Sequence, residues 1–446
     1  MFDPRGNPVS TGSAEALAAA EQALWRMMSF YGTPIDDLAA AQVADPKWLL
    51  PSLMKAGFLL SLTEPALVPE ARALIDAAAS QSALPGRSNP RERAHLLALQ
   101  TLLAGDWPGA CREWESLLLR HPCDALALQW AHLFDFYRGD STNLRQRVAR
   151  VLPEWSATDP LRPYVLGQYA FGLEENHLYA QAEECGRHAL SGSAKVPWAI
   201  HAVAHVMEMQ GRYPEGVEWM AQWEPDWAHG NGFGGHLGWH AALFALEALD
   251  DAAALRHFDA HLAADPAQIT LQRIDAAALL WRMHLLGMDT GTRWRNLVAG
   301  WDVSDATAGR YPFNDLHALL ALIGSGDMTR AQVWARQVAT QAERSTGSNR
   351  AVAIEVGAPL MRGMLAFGLG GFDDAIEALY PVRALVVRFG GSHAQRDLID
   401  QTLIAAATRA TDKSVGRALL NERRLSKPRT PLTRYWESRS ARSSLK

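Results

Sequence analysis

Two short stretches hold the residues best suited to chemistry. "HAVAHVMEMQGR" begins at His201 and "HLGWHAALFALEALDD" at His236, so the pairs His201/His205 and His236/His240 each set two imidazoles four residues apart in an apolar, helical pattern. Residues i and i+4 share one helix face. Both members of the second pair follow the first by 35 residues. Neutral imidazoles so spaced can chelate zinc or another divalent first-row metal, which makes His201, His205, His236 and His240 the metal-ligand candidates. Glu208, one helical step beyond His205, can add a ligand or a general base, and Glu247 extends the second stripe. Without a metal, His205, His240 and Glu208 are catalytic candidates as proton carriers near neutral pH. "HAVAH" is not the HExxH motif of zinc proteases, because alanine stands where that motif has its glutamate. A hydrogen-bonded polar seam within a core is the structural alternative.

Two further constellations belong with these pairs. "YPFNDLHALLALIGSGD" places Asn314, Asp315 and His317 at the start of a helical run; Asn314 or Asp315 also suits a helix N-cap. "FGGSHAQRDLIDQTLIAAA" opens a helix after Gly390-Gly391, with Ser392, His393, Gln395, Arg396 and Asp397 in its first turns. Free N–H groups there can receive an anion and Arg396 can clamp it; an ordinary Arg396-Asp397 capping pair is the alternative. Asp315, His317, Gln395, Arg396 and Asp397 are therefore the ligand-binding candidates. No GxSxG, Cys-His or Walker pattern occurs.

The elements that position these residues recur with a period. Turn signals fall near residues 105, 139, 175, 211, 250, 287, 326 and 371, separated by 34, 36, 36, 39, 37, 39 and 45 residues. Such a spacing fits one helical hairpin per repeat, as in tetratricopeptide arrays. Glycine marks most breaks because helices commonly end on a residue with positive φ, and nearby aspartates can cap the helix that follows. Strand signals are almost absent. The expected fold is all-α: a right-handed superhelical array of roughly eight to ten TPR-like hairpins. Residues 1–90 read as an N-terminal helical cap, 91–425 as the solenoid and 426–446 as a mobile basic tail. Both histidine pairs precede their repeat's turn and so lie on first helices, which line the inner wall of such arrays. Most tryptophans, among them Trp107, Trp114, Trp198 and Trp239, read as packing, and "AHGNGFGGH" from Ala228 as a flexible glycine loop or lid.

Composition narrows the function classes. The chain has 446 residues, 43 basic and 48 acidic, a net charge of −5 and no basic block within the folded region, so nucleic acid is not an expected partner. Three cysteines without CxxC spacing suit a reducing, cytoplasmic setting. The apolar runs are interrupted, as by Pro51 and Lys55, and no signal peptide or membrane span is expected.

Several blocks together, "HPCDALALQWAHLFDFYRGDSTNLR", "LGQYAFGLEENHLYAQAEECGRHAL", "PWAIHAVAHVMEMQGRYPEG", "HLGWHAALFALE", "PFNDLHALLAL", "RFGGSHAQRDLIDQTLIAAA" and "KPRTPLT", resemble the tetratricopeptide repeat protein 38 family in order from about residue 90 to 435. The resemblance implies a TPR-like superhelix. It also implies family positions matching His201, His205, His236, His240, His317, Glu208, Gln395, Arg396 and Asp397, while His393 and the glycines around Gly232 depart from it. It implies no substrate. Two function classes stay open: a His/Glu/Arg cluster that binds a small polar or anionic ligand or a metal and turns it over, and a scaffold that holds a protein or peptide in its groove.

Overall fold

The computed structural model describes residues 1–192, 195–230, 232–265 and 268–443. Among these residues every extended element is helical, and the one β contact is an isolated bridge between Phe2 and Pro8. The chain forms two compact units, Met1–Val203 with His229–Phe233, and Ala204–Ala228 with Gly234–Lys446.

The first unit holds α1 (Ala14–Ser29), α2 (Ile35–Ala44), α3 (Leu50–Ser61), α4 (Val68–Ser82) and α5 (Pro90–Leu103). It continues with α6 (Trp107–Leu118), α7 (Ala125–Tyr137), α8 (Ser141–Val151), α9 (Arg162–Glu174) and α10 (Tyr179–Ser191). The next helix, α11 (Pro197–Met209), runs through the division between the units. The second unit holds α12 (Tyr213–Trp227), all but the first two residues of α13 (Gly232–Glu247), α14 (Asp251–His261), α15 (Thr270–Leu286), α16 (Arg293–Ala299), α17 (Pro312–Gly324) and α18 (Met328–Arg344). It ends with α19 (Asn349–Val352), α20 (Ala358–Gly368), α21 (Phe372–Leu379), α22 (His393–Ala407), α23 (Ser414–Ser426) and α24 (Pro431–Ser443).

Successive helices pack as neighbouring pairs, α5 with α6, α9 with α10, α17 with α18 and α20 with α21 among them. Every break anticipated by the period is built the same way. A residue with positive φ ends the first helix: Gly105, Gly139, His177, Gly211, Leu249, Gly287, Gly326 or Gly370. The next N–H then bonds the carbonyl five residues back, at 2.8 to 3.2 Å, which closes a Schellman turn. Asp106, Asp140, Asp250 and Asp327 follow such residues directly and cap the second helix through their side chains. Second helices are amphipathic: α18 buries Ala331, Trp334, Val338 and Ala342 along one stripe. First helices such as α13, α15 and α17 are buried on nearly every side, so their few polar residues are forced into the interior.

Within residues 1–90, α3 and α4 pack directly on α5, and the Tyr137 hydroxyl of α7 donates to the Ser61 carbonyl at 2.8 Å. Two expectations meet a different arrangement. The basic C-terminal segment is not simply a tail, because α24 packs on α22 and α23 and buries Leu432, Thr433 and Trp436. The glycine-rich stretch before His236 is helical from Gly232, with Asn231 outside the described residues. A Cβ at Gly234 would come within 2.7 Å of the Trp227 carbonyl, and one at Gly238 within 2.5 Å of His261, so glycine here permits close helix packing. One continuous helix, Asn349–Gly368, is apolar and long enough to cross a membrane, with mean hydropathy 1.3. It packs as a repeat helix against α17, α18 and α21. A π-turn at Ala353–Gly357 interrupts it just before Pro359, which has no N–H for the carbonyl of Glu355.

Candidate metal centre

Three imidazoles of the second unit converge. His205 and His240 are fully buried and His236 is partly so; each offers a ring nitrogen, and these nitrogens lie within 4.8 Å of one another. The rings of His205 and His240 have centroids 4.6 Å apart, and those of His236 and His240 4.9 Å. Glu208 of α11 lies 3.2 Å from Nδ1 of His240, and Asp275 of α15 lies 2.9 Å from Nδ1 of His236. A His/Glu cluster that could hold a metal ion is thus built into the repeat scaffold. With a metal on Nε2, each of these rings presents its Nδ1 proton, and the carboxylates are placed to accept it.

Burial shifts two members of this cluster, His240 and Glu208. His240 is held well below the usual imidazole range, first by desolvation and then by the neighbouring His205, His236 and Arg282. It is neutral at physiological pH, the form a metal requires. Burial raises Glu208, against the pull of Lys427, His205 and Arg282.

The surrounding charges come from helices whose role is hard to see in sequence. Asp275 and Arg282 stand two turns apart on α15, which is otherwise almost wholly apolar between them. The Arg282 guanidinium lies over the Trp239 indole at 5.4 Å, and the His236 ring stacks on the same indole at 5.3 Å. Glu247, at the end of α13, accepts from the Arg423 Nη2 on both carboxylate oxygens at 2.7 and 2.9 Å, takes a bond from the Thr430 hydroxyl, and has the Lys427 ammonium at 3.8 Å. Asp397 of α22 lies 3.7 Å from Arg423 and accepts from Gln401 at 2.5 Å. These cations hold Glu247 and Asp397 below the usual carboxylate range despite burial. Asp275, Arg282, Arg423 and Lys427 are absent from the sequence-derived candidates. The seven-residue interval between the only polar residues on one stretch of α15 is the signal that would have found the first two.

The remaining candidates separate. His317 joins the neighbourhood: Asp275 and Arg282 act on its charge, its Nδ1 donates to the Phe313 carbonyl at 2.8 Å, and burial lowers it to about 4. Asp315 does not cap α17; its Oδ1 accepts the Gly309 N–H at 3.3 Å, and burial raises it to about 8. Gln395 is occupied in a capping box with Ser392, at 2.9 and 3.3 Å, so the Ser392 and Gln395 N–H groups are satisfied from within the chain. Arg396 turns back to the Gly391 carbonyl. His201 precedes His205 by one turn of α11 but belongs to the first unit, where the rings of Phe171, Trp198 and Phe233 pack around it at 5.1 to 5.3 Å. No model of a known protein family matches the chain.

Proposed function

We propose that the protein is a TPR-like repeat protein of the kind its sequence resembles, carrying a divalent first-row metal, zinc by ligand type, on His205, His236 and His240. The observation that carries this reading is the backing of two converging imidazoles by separate carboxylates, Asp275 and Glu208. Such outer partners fix the tautomer and raise ligand basicity. Three histidines leave a fourth tetrahedral position for water or a small polar ligand, the arrangement that lowers the pKa of bound water toward neutrality and supports metal-assisted attack on a substrate. Complete burial of His205 and His240 supports a small ligand over a peptide held in a groove.

Metal analysis of protein purified without chelators tests the proposal. One divalent ion per chain is expected, lost when His205 and His240 are both replaced by glutamine, with helical content retained. Asp275→Asn should weaken zinc binding by roughly 10- to 100-fold. Protein that carries no ion and whose melting temperature ignores added zinc would overturn the reading.

A further inference from the structure

We propose that Arg282 and His317 form an oxyanion-recognition subsite beside the imidazole cluster, and that the small molecule taken up there carries a carboxylate or phosphate with an adjoining O–H donor. The inference rests on the metal-centre reading for its substrate position, but its own argument concerns Arg282. This side chain is 2 % exposed, and its Nη atoms donate to two backbone carbonyls, Ala278 at 3.0 Å and Ala394 at 2.6 Å. Among the described residues, no carboxylate lies within ion-pair distance of it. The other cations of the same interior are paired, Arg423 through its Nη2 and Lys427 more loosely, both with Glu247.

A buried guanidinium without an anionic partner is costly, and desolvation pulls Arg282 below the usual arginine range even with Asp397, Glu208 and Asp275 in its field. An oxyanion supplied by a ligand removes that cost, and guanidinium is the group best shaped for it. Arg282 and His236 lie against one indole, that of Trp239, so an anion on Arg282 stands next to the cluster. His317 supplies the complementary feature. Its Nδ1 proton is committed to the Phe313 carbonyl, which leaves Nε2 an acceptor, and that buried atom has no hydrogen-bond partner among the described residues. The two groups stand on helices that pack on one another, α15 and α17, and a neutral acceptor on the one with a buried cation on the other selects a ligand that brings both negative charge and a hydroxyl proton, as hydrogen phosphate or a 2-hydroxy carboxylate does.

Inorganic phosphate, acetate and lactate serve as probes of the full chain, titrated calorimetrically with and without one equivalent of zinc. Saturable binding of phosphate or lactate, tighter than that of acetate, is expected. Arg282→Met should weaken it roughly 10- to 100-fold while zinc stoichiometry is unchanged, with Arg282→Lys between the two. His317→Phe should bring lactate down to the level of acetate. Should the arginine variants fail to fold, hydrogen exchange on the wild type decides: phosphate is expected to slow exchange in residues 270–286 and 312–324 specifically. Zinc binding without anion binding, or anion binding indifferent to Arg282, overturns the subsite. Arg282-dependent anion binding in a protein that takes up no zinc upholds it and sinks the metal reading alone.

Discussion

At the scale of single residues, the interior of the second unit separates groups that share charge from one that holds its own. Glu208, Asp275 and Asp397 lie among cations and imidazoles, whereas Asp315 has the Gly309 N–H on one oxygen and no hydrogen-bond partner, among the described residues, for the other. Its carboxyl therefore stays protonated until about pH 8 in the folded chain. In the unfolded chain it ionises near the ordinary aspartate value of about 4. Between those values the unfolded state loses the proton first, so stability contributed by the neutral form is complete below about pH 4 and declines as pH rises toward 8. Asp315→Asn removes this dependence while keeping an acceptor for Gly309. The difference in melting temperature, variant minus wild type, is expected to grow from pH 5.5 to pH 8. A difference that stays flat over this range shows that Asp315 is already ionised in the folded protein.

The elements show why the repeat could be read so early and where the reading slipped. Each hairpin needs one residue with positive φ followed by a cap, and glycine-aspartate supplies both, so Gly105-Asp106, Gly139-Asp140 and Gly326-Asp327 announce their turns in sequence. The turns marked at 175 and 250 pivot instead on His177 and Leu249, which carry side chains into the left-handed region at φ 60° and 59°. That conformation costs about 1–2 kcal/mol for such residues. Leu249→Gly is expected to stabilise the protein by roughly 0.5–1 kcal/mol after the added freedom of the unfolded chain is counted, and Gly326→Ala to destabilise it by about 1 kcal/mol. Chemical denaturation measures both; loss of stability in Leu249→Gly would mean that the leucine side chain contributes more by packing than its backbone strain costs. The histidine pairs were legible because helical spacing and repeat length coincide at them. Arg282 was not, since a lone arginine in "AALLWRMHLL" looks like a surface residue until α15 is seen to be buried around it.

At the scale of the whole chain, the second unit encloses a charged interior that its own C-terminal segment completes. The run from Leu420 is rich in arginine and lysine, which in sequence reads as a solvated tail, yet its charges point two ways. Arg424 pairs with Glu437 near the surface at 2.9 Å, while Arg423 and Lys427 turn inward to Glu247. Thr430 and Thr433 bond one another and extend that network, and Trp436 seals it with 2 % of its surface exposed. Leu432 and Trp436, four apart, form the apolar stripe that lets α24 dock, a pattern hidden by the intervening Arg434. A mobile tail would predict no change in melting temperature on truncation. The packed arrangement predicts that Trp436→Ala costs about 3–5 kcal/mol and that deleting residues 427–446 costs more, because Glu247 then also loses Lys427 and Thr430. Thermal and urea denaturation of the two variants beside the full chain decides between these outcomes, and a deletion as stable as the parent would return the segment to the role its composition suggests.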